Sequence, residues 1–563
     1  MSKNIVLALT FVLFTALNLF ETPKVFSNQC SLALSKDSID FGTAFPYEDQ
    51  IQTLIIKNTS ASELSIKDTY IFSRFAVFNV QSISSKELQP GDSTIITLSF
   101  KTAQNITYRG HLVVSVECPI KLYSISICLQ GRAIYPNQEF AFTENLEGQA
   151  LYNALNNYVN GATVYSYYDA RNHMFTKADN VNGFVECIYT GKKIQTNSIP
   201  DPNIFNTEHS WPQSKGADKE PARSDVYHLY PADAKANEKR SNNPYGNVSR
   251  SVVWELGGSK LGLPQSASDT TFEPRDQSKG NVARSLFYFA TRYGNRKGTY
   301  DTDGFLTKME TTLRDWNKKD PVDERERSRA ESIATFQKRR NPFIEFPEII
   351  DRFYKLSTQP DFPLYPEPAT DLNGVYADVQ GSDSVEIAIP IINKGNQQLK
   401  INSTEFKPAT INAQVIYVDS IIPQATSKSI IIRMKKSIPT GTLLRVRFAD
   451  GISTLPIPVA SEKVTSGLEQ ITEEDLEISI APNPAVHGLH QMVTFTAISL
   501  VQASIKLYDI HGNTIADITD LIQSNGYRHS INIPYEYRST TNAVFCTIHL
   551  NNHTKTIVLF PAE

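Results

Sequence analysis

FNTEHSWPQS, residues 205–214, and SDVYHLYPADAKANEKRSNNPYG, residues 224–246, are the stretches on which the reading of this chain turns. Glu208 stands directly before His209, and Asn237 follows about thirty residues later in a segment expected to be helical. A neutral imidazole can take a proton from water, while a carboxylate and an amide oxygen are hard ligands for a divalent cation. Hydrolysis of a phosphodiester with one metal ion needs those three groups. Oxygen donors without a thiolate favour Mg²⁺, with Mn²⁺ or Ca²⁺ as alternatives, over Zn²⁺. A glutamate beside a histidine is common on surfaces and in cores, so the surrounding sequence has to carry the argument.

Close to the stretch, FNTEH reads as a strand that delivers His209 to the face of a short helix. Asp233 is expected to cap that helix at its N-terminus, with Pro231 at the boundary. Arg223 and Arg240 are candidates to hold the scissile phosphate, because a guanidinium matches phosphate oxygens. Both are equally readable as solvated surface residues. His228 reads as a buried structural histidine, and Trp211, Trp316 and Met174 read as core. Arg327 and Arg329, close to Asp320 and Glu326, read as an internal ion-pair scaffold. A zinc site built from His209, His228 and Cys187 is a rival reading with no recognised ligand spacing. A catalytically idle centre between partner-binding sandwiches is another, against which the intact Glu208, His209 and Asn237 set argues.

Outward from the site the hydrophobic period changes. Asn145–Tyr158, Val282–Tyr293 and Glu326–Lys338 space their apolar residues at three and four, so residues 139–357 read as a mixed, mostly helical domain. One small β element is expected in it, around the histidine. On the near side QTLIIKN (52–58), STIITLSFK (93–101) and HLVVSVE (111–117) give a β-sandwich over 30–135. On the far side VEIAIPIIN (385–393), KSIIIRMK (428–435) and LLRVRFADG (443–451) give another over 370–460. The two share a pattern: Asn58 precedes Leu64 and Ile66 as Asn393 precedes Leu399 and Ile401, each asparagine closing an apolar strand. They are expected to be two related Ig-like sandwiches, resembling the extracellular accessory domains of bacterial surface enzymes. A linker over 358–369 contains four prolines, and 461–477 is acidic, with Glu469, Glu473, Glu474, Asp475 and Glu477.

The chain has 563 residues, 40% hydrophobic and 20% charged, which suits about three or four globular domains. Lys3, the apolar run Ile5–Phe20 and the small Ser27 read as a signal peptide over 1–27, so the mature chain is expected to be exported. No later stretch reads as a transmembrane helix. Five cysteines (Cys30, Cys118, Cys128, Cys187, Cys546) form no CxxC. Cys118 and Cys128 are expected near each other on one hairpin, with the pairing left open. Net charge is -4, yet residues 141–360 hold 30 Lys and Arg against 28 Asp and Glu. That balance allows a local basic groove and argues against a basic coat over the whole surface.

The motifs around the site agree in order with a known family. Tyr167-Tyr-Asp-Ala-Arg171, Met174-Phe175, FEPRDQSKGNVARSLFYFATRY (272–293), Trp316, DPVDERERSR (320–329) and NPFIEFPE (341–348) complete a pattern of about 220 residues. It resembles the bacterial endonuclease I family, of His-Me finger (ββα-metal) architecture. The resemblance implies that His209 is the general base and that Glu208 and Asn237 hold one divalent cation. It also implies hydrolysis with little sequence preference that leaves 5′-phosphates. Attack by water makes no use of a 2′ hydroxyl, so DNA and RNA are both admissible substrates, held through the backbone.

From Ile478 the chain contains ISIAPNPAVHG (478–488), SIKLYDIHGN (504–513) and TKTIVLF (554–560). In that order these resemble the type A C-terminal sorting domain of type IX secretion cargo, a family of the Bacteroidetes. Asn542-Ala543-Val544-Phe545 departs from it where a Gly-x-Tyr is usual. The resemblance implies the type IX secretion machinery as a partner, and delivery to the medium or outer surface after removal of 478–563. The expected fold is therefore multidomain: a central α+β nuclease domain flanked by all-β Ig-like sandwiches, with a C-terminal β-sandwich.

Overall fold

The alternating flanks become strand after strand. The computed structural model describes residues 24–25, 31–460 and 478–559, except 74, 119–120, 266–268, 295–303, 363, 365–367, 371–374, 377–383, 394, 396, 411, 419, 424–426, 436–437, 439–441, 450–453, 482–491, 497–502, 509–513, 520–522, 526–527, 534–543 and 551–552. The leader up to 23, Cys30, the acidic 461–477 and the Pro482–Pro484 motif lie outside the described residues. Two residues of the expected leader, Lys24–Val25, pair with Ser31–Leu34.

The first sandwich has two five-stranded sheets. One runs Lys24–Val25, Ser31–Leu34, Gln50–Asn58, Ser93–Phe100, Phe78–Ile83, and the other Ser38–Ala44, Lys121–Ala133, Thr107–Cys118, Leu64–Ser73, Glu87–Leu88. Alternate residues point inward, so Leu54, Ile56, Ile96 and Leu98 meet Leu64, Leu112, Val114 and Ile127 in one core. The second sandwich repeats this order. Its sheets run Pro368–Ala369, Ser384–Asn393, Ser427–Lys435, Ala413–Val418, and Val375–Tyr376, Thr454–Ala460, Leu443–Phe448, Leu399–Lys407, Ile421–Ile422. In each the second sheet begins with a parallel pair. The register breaks at Ile66/Asp68 and Val80/Ser82 recur at Ile401/Ser403 and Val415/Tyr417.

The asparagine repeat has a physical cause. Buried Asn58 donates to the carbonyls of Ser62 (2.8 Å) and Leu88 (2.9 Å) and accepts from the Ser60 N–H (2.9 Å). Asn393 donates to Gln397 (2.8 Å) and Ile422 (3.0 Å) and accepts from the Gly395 N–H (3.1 Å). In both sandwiches one amide ties a strand end to its own turn and to a short edge strand.

The C-terminal unit also has two sheets. Their orders are Ile478–Ala481, Met492–Thr496, Arg528–Asn532, Gln523–Asn525, and Thr514–Asp517, Ala503–Tyr508, Val544–Leu550, His553–Leu559. Val493, Ile505, Leu507, Ile533 and Ile548 are buried in it.

The middle holds α1 (Gly148–Asn160), α2 (Tyr167–His173), α3 (Ala234–Arg240), α4 (Lys279–Tyr293), α5 (Glu310–Lys319), α6 (Glu324–Gln337) and α7 (Pro342–Glu345). Almost every side chain of α4 is buried, so this helix is the axis of the domain. The expectation of one small β element needs correction, because three small sheets are present. They are Asn180–Val181 with Phe184–Glu186 and Lys193–Gln195; Phe205–His209 with Leu229–Asp233; and Arg250–Leu256 with Ser259–Leu263 and Thr271–Glu273. The strands of the first sheet have only two or three residues, too short to show alternation in a sequence, and Arg250–Leu256 of the last has no alternating buried face.

Buried arginines hold this domain together. Arg284 pairs with Glu326, Arg292 with Asp225, Arg314 with Glu310 (2.7 Å) and Arg329 with Asp179 (2.9 Å). The ion-pair scaffold expected at Arg329 and Glu326 is thus present with more distant partners, while Arg327 is exposed. Part of the expected 358–369 linker is docked, since Asp361 accepts the Gln149 N–H at the start of α1 (2.7 Å). Cys118 and Cys128 do share a hairpin, but Cys118 lies opposite Lys121 and Cys128 opposite His111. Seven residues of strand, about 23 Å, separate them along the hairpin, far beyond disulfide reach. Among the described residues no helix is long and apolar enough to cross a membrane.

Asn58→Ala strands the buried Leu88 carbonyl and the part-buried Ser62 carbonyl and should cost about 3 kcal/mol of sandwich stability, read from the urea midpoint. A loss below about 1 kcal/mol would mean that water takes over the work of the amide.

Candidate active site

The site begins with a ladder. Phe205–His209 runs antiparallel to Leu229–Asp233, with Glu208 opposite Tyr230 and His209 opposite Leu229. Successive strand residues face opposite ways, so Asn206 and Glu208 look to one side and Thr207 and His209 to the other. Two neighbours in sequence are therefore served by different elements.

On the Glu208 side stands α3. Asp233 caps it as expected, accepting the N–H groups of Lys235 (3.0 Å) and Ala236 (3.2 Å). Pro231 sits inside the partner strand opposite Thr207, and the helix starts three residues later. Asn237 and Arg240, one turn apart, both reach back to the ladder. Asn237 Nδ2 donates to Asn206 Oδ1 (2.7 Å), which leaves Asn237 Oδ1 as the acceptor end of the amide. Glu208 is 3% exposed, with Arg240 Nε 3.4 Å and the Tyr245 hydroxyl 3.3 Å from Oε1. The Tyr245 hydroxyl lies 2.7 Å from that of Tyr189, so two phenols and a guanidinium surround one carboxylate. Burial pushes the Glu208 carboxyl above its usual range, against the opposing pull of Arg240 and the two hydroxyls.

On the other side, His209 Nε2 lies 3.1 Å from the Arg223 carbonyl. A carbonyl only accepts, so Nε2 carries the proton and Nδ1 holds the lone pair. Gln213 Nε2, 3.4 Å from the same nitrogen, has nothing to donate to in that tautomer. Burial, and then the neighbouring His228, push the His209 pKa down to about 3, which keeps the imidazole neutral at any ordinary working pH. The Tyr167 ring packs 5.6 Å from the His209 ring, with the Arg223 guanidinium 4.4 Å from the Tyr167 centroid. Arg223 is exposed.

Two expectations change. His209 is turned away from α3; its neighbours are Tyr167 of α2, Gln213, His228 and the turn at Arg223. Arg240, expected at the phosphate, is 1% exposed and donates to the carbonyls of Ser210 (2.6 Å) and Ser241 (2.8 Å) while lying over Tyr245 (4.5 Å). It belongs to the support of Glu208. His228, Trp211, Trp316 and Met174 are buried. Cys187, the thiol of the rival zinc reading, accepts the N–H groups of Asp233 (3.1 Å) and Thr190 (3.4 Å). Sequence reasoning gave no role to Tyr167, Arg171, Tyr189 or Tyr245. Only the Tyr-Tyr-Asp-Ala-Arg motif was a signal.

Residues 140–348 match the family model described as Endonuclease I. The extracellular ribonuclease of Bacillus subtilis (strain 168) is 34% identical over 229 residues, which cover 38% of this chain and 76% of that protein. The chain belongs to the endonuclease I family. The extracellular ribonuclease of Bacillus amyloliquefaciens is 35% identical over 228 residues, covering 37% of this chain and 74% of that protein. The endonuclease I span contains both faces of the ladder and all of α1 to α7, and both duplicated sandwiches lie outside it. Among solved structures, the ASH / PapD-like domain of human CEP192 matches 24% of this chain and 99% of that one at 17% identity, with a TM-score of 0.18.

Beneath His209, the His228 Nε2–H donates to the Ala222 carbonyl (2.6 Å), while Nδ1 is buried without a hydrogen-bond partner. Burial lowers its pKa to about 4, although Asp225 pulls the other way; Arg292 and Arg329 add to the lowering. In the unfolded chain the ring titrates near about 6.5, so between those values the unfolded state binds more protons. Stability must then fall as pH drops through that window and gain nothing from this group above it. The urea midpoint should fall more steeply from pH 7 to 4.5 for the wild type than for His228→Gln. Equal slopes would remove His228 as a source of acid sensitivity.

Proposed function

We propose that this chain is a secreted, divalent-cation-dependent endonuclease. It hydrolyses phosphodiester bonds of DNA and RNA with little regard to sequence and leaves 5′-phosphates. The carrying observation is the His209 imidazole, tied through its Nε2 proton to the Arg223 carbonyl and left with an unprotonated Nδ1. That nitrogen takes a proton from the attacking water, and the carbonyl steadies the cation that results. Glu208 and Asn237 would hold the metal. They fit such an ion, because Glu208 is a buried carboxylate and Asn237 has its amide nitrogen already engaged. When bound, the cation supplies charge stabilisation at the phosphate and at the departing 3′ oxygen. Arg240 keeps the Glu208 carboxylate in place, and the exposed Arg223 is offered to the phosphate. The rival zinc reading has no such support. Among the described residues no group of three or more His, Cys, Asp or Glu is placed to hold a metal.

RNA as a substrate follows the two Bacillus relatives, both extracellular ribonucleases by name. The central unit, read as a His-Me finger over 139–357, is placed between Ig-like domains at 30–135 and 370–460. Strand orders that match apart from the added Lys24–Val25 edge strand, together with matching asparagine clips, support their kinship. The leader pattern at 1–27 supports export. Residues 478–563 are assigned to sorting by the type IX machinery.

His209→Ala should lower the rate on plasmid DNA by at least about 10²-fold, and EDTA should abolish it. Glu208→Ala and Asn237→Ala should each raise the Mg²⁺ needed for half-maximal activity. Metal titrations that overlay the wild type would move the ligands elsewhere.

Ending the chain near Thr465 should leave nuclease activity intact in vitro, yet strand the protein in the periplasm of its native bacterium. Surface delivery of the shortened chain, seen by cell fractionation, would refute the sorting role.

A further inference from the structure

Arg171, on α2, is half-buried on the His209 side of the ladder, where its Nε donates to Thr207 Oγ1 (3.1 Å). Its guanidinium carbon lies 5.5 Å from the centroid of the Tyr167 ring, and that of Arg223 lies 4.4 Å from the same centroid. The Tyr167 ring in turn packs against His209. Two cations thus share one aromatic ring beside the proposed base. Elsewhere in the domain Arg284, Arg292, Arg314 and Arg329 each face a carboxylate. Among the described residues, neither Arg171 nor Arg223 is within ion-pairing distance of one.

We propose that Arg171 is a substrate-contacting residue. Its Nη groups bind a backbone phosphate next to the scissile one, so that Arg171 and Arg223 grip the strand from either end of Tyr167. The inference rests on the nuclease reading. Three physical points carry it. Like charges gathered on one ring repel until an anion joins them, and a guanidinium fork matches phosphate oxygens. Nε alone satisfies the bond to Thr207, so both Nη groups stay available. The two guanidinium carbons are at most about 10 Å apart, a span that successive phosphates of one strand can serve. Tyr168, the next residue on α2 and 68% exposed, extends the same surface with a ring a base can stack on.

The test uses the full chain carrying His209→Ala, so that substrate is bound and not cut. Fluorescein-labelled duplex DNA and single-stranded RNA are titrated by anisotropy as NaCl is raised. Arg171→Ala should weaken binding by about tenfold and flatten the slope of log Kd against log salt by about one unit. Arg171→Lys should keep the slope while losing part of the affinity. Arg171→Gln retains a donor for Thr207 without the charge, so it should behave like Arg171→Ala. Should the Gln variant bind with the parent's slope, Arg171 is only a clamp on Thr207 and the proposal falls. It falls equally if the Ala variant keeps the parent's affinity and slope. A parent that binds neither nucleic acid would overturn this proposal together with the nuclease reading. A parent that binds normally while the Gln variant is unchanged overturns this proposal alone.

Discussion

A ladder of two strands is barely stable in water, yet the pairing of Phe205–His209 with Leu229–Asp233 fixes Glu208 and His209. Side groups do the holding. At the Leu229 end the buried Arg329 donates to the carbonyls of Val226 and Leu229 and pairs with Asp179. Arg292 holds Asp225 just before it, and Arg240 takes the Ser210 carbonyl just past His209. At the far end Lys192 pairs with Asp233 (2.7 Å), and the Ile188 N–H bonds to the Pro231 carbonyl (3.0 Å). These clamps matter because a slip of one residue would turn every side chain to the opposite face. Glu208 would then meet Tyr167, and His209 would enter the nest of Arg240, Tyr189 and Tyr245. A buried ion pair adds little net stability, but an unpaired buried charge is costly, so only the native register satisfies all these arginines at once.

The arginines of the domain do different work. Arg284, Arg292, Arg314 and Arg329 face carboxylates, are buried and set the shape. Arg171 and Arg223 keep their charge near the surface without a carboxylate, on the His209 side of the ladder. With 30 basic against 28 acidic residues over 141–360, little general attraction for a polyanion remains. Local placement has to do what net charge does not. A nuclease that reads the backbone needs no more than that, because the phosphates offer the same contacts at every step.

How much of this was legible depended on how local the cause was. Asp233 as a cap acts within three residues, so the sequence shows it. The Asn58 and Asn393 clips each begin in their own turn, so their repeat shows in the spacing, while the edge strand that each also holds lies 30 or 29 residues away and does not. The long helices carry enough turns to show a period. The three-residue strand Phe184–Glu186 carries none, and Arg250–Leu256 is exposed along almost its whole length, so it has no buried face for an alternation to mark. The fate of Arg240 was illegible for another reason. Whether a guanidinium meets solvent or Glu208 depends on where α3 docks against a strand some thirty residues earlier, and no local pattern records that distance. The alternation that sends Glu208 and His209 to opposite faces was available in principle. Once FNTEH is read as a strand, adjacent residues cannot share a side.

The physical nuclease unit is larger than the span that the family match covers. Arg352 lies just beyond residue 348 and is fully buried. Its guanidinium donates to Asn105 Oδ1 of the first sandwich (2.8 Å) and to the carbonyls of Thr143 and Leu146 at the entry to the central domain. Around it Tyr135 stacks on Phe346 (3.5 Å), and the Tyr47 hydroxyl donates to Glu348 (2.8 Å). A buried guanidinium answered by neutral oxygens has to keep every one of them, because water cannot replace what leaves. Removing the first sandwich would take Asn105 and Tyr135 away and open Phe346 and Arg352 to solvent. That sandwich is therefore part of the wall of the central domain, unlike a module hung on a flexible tether.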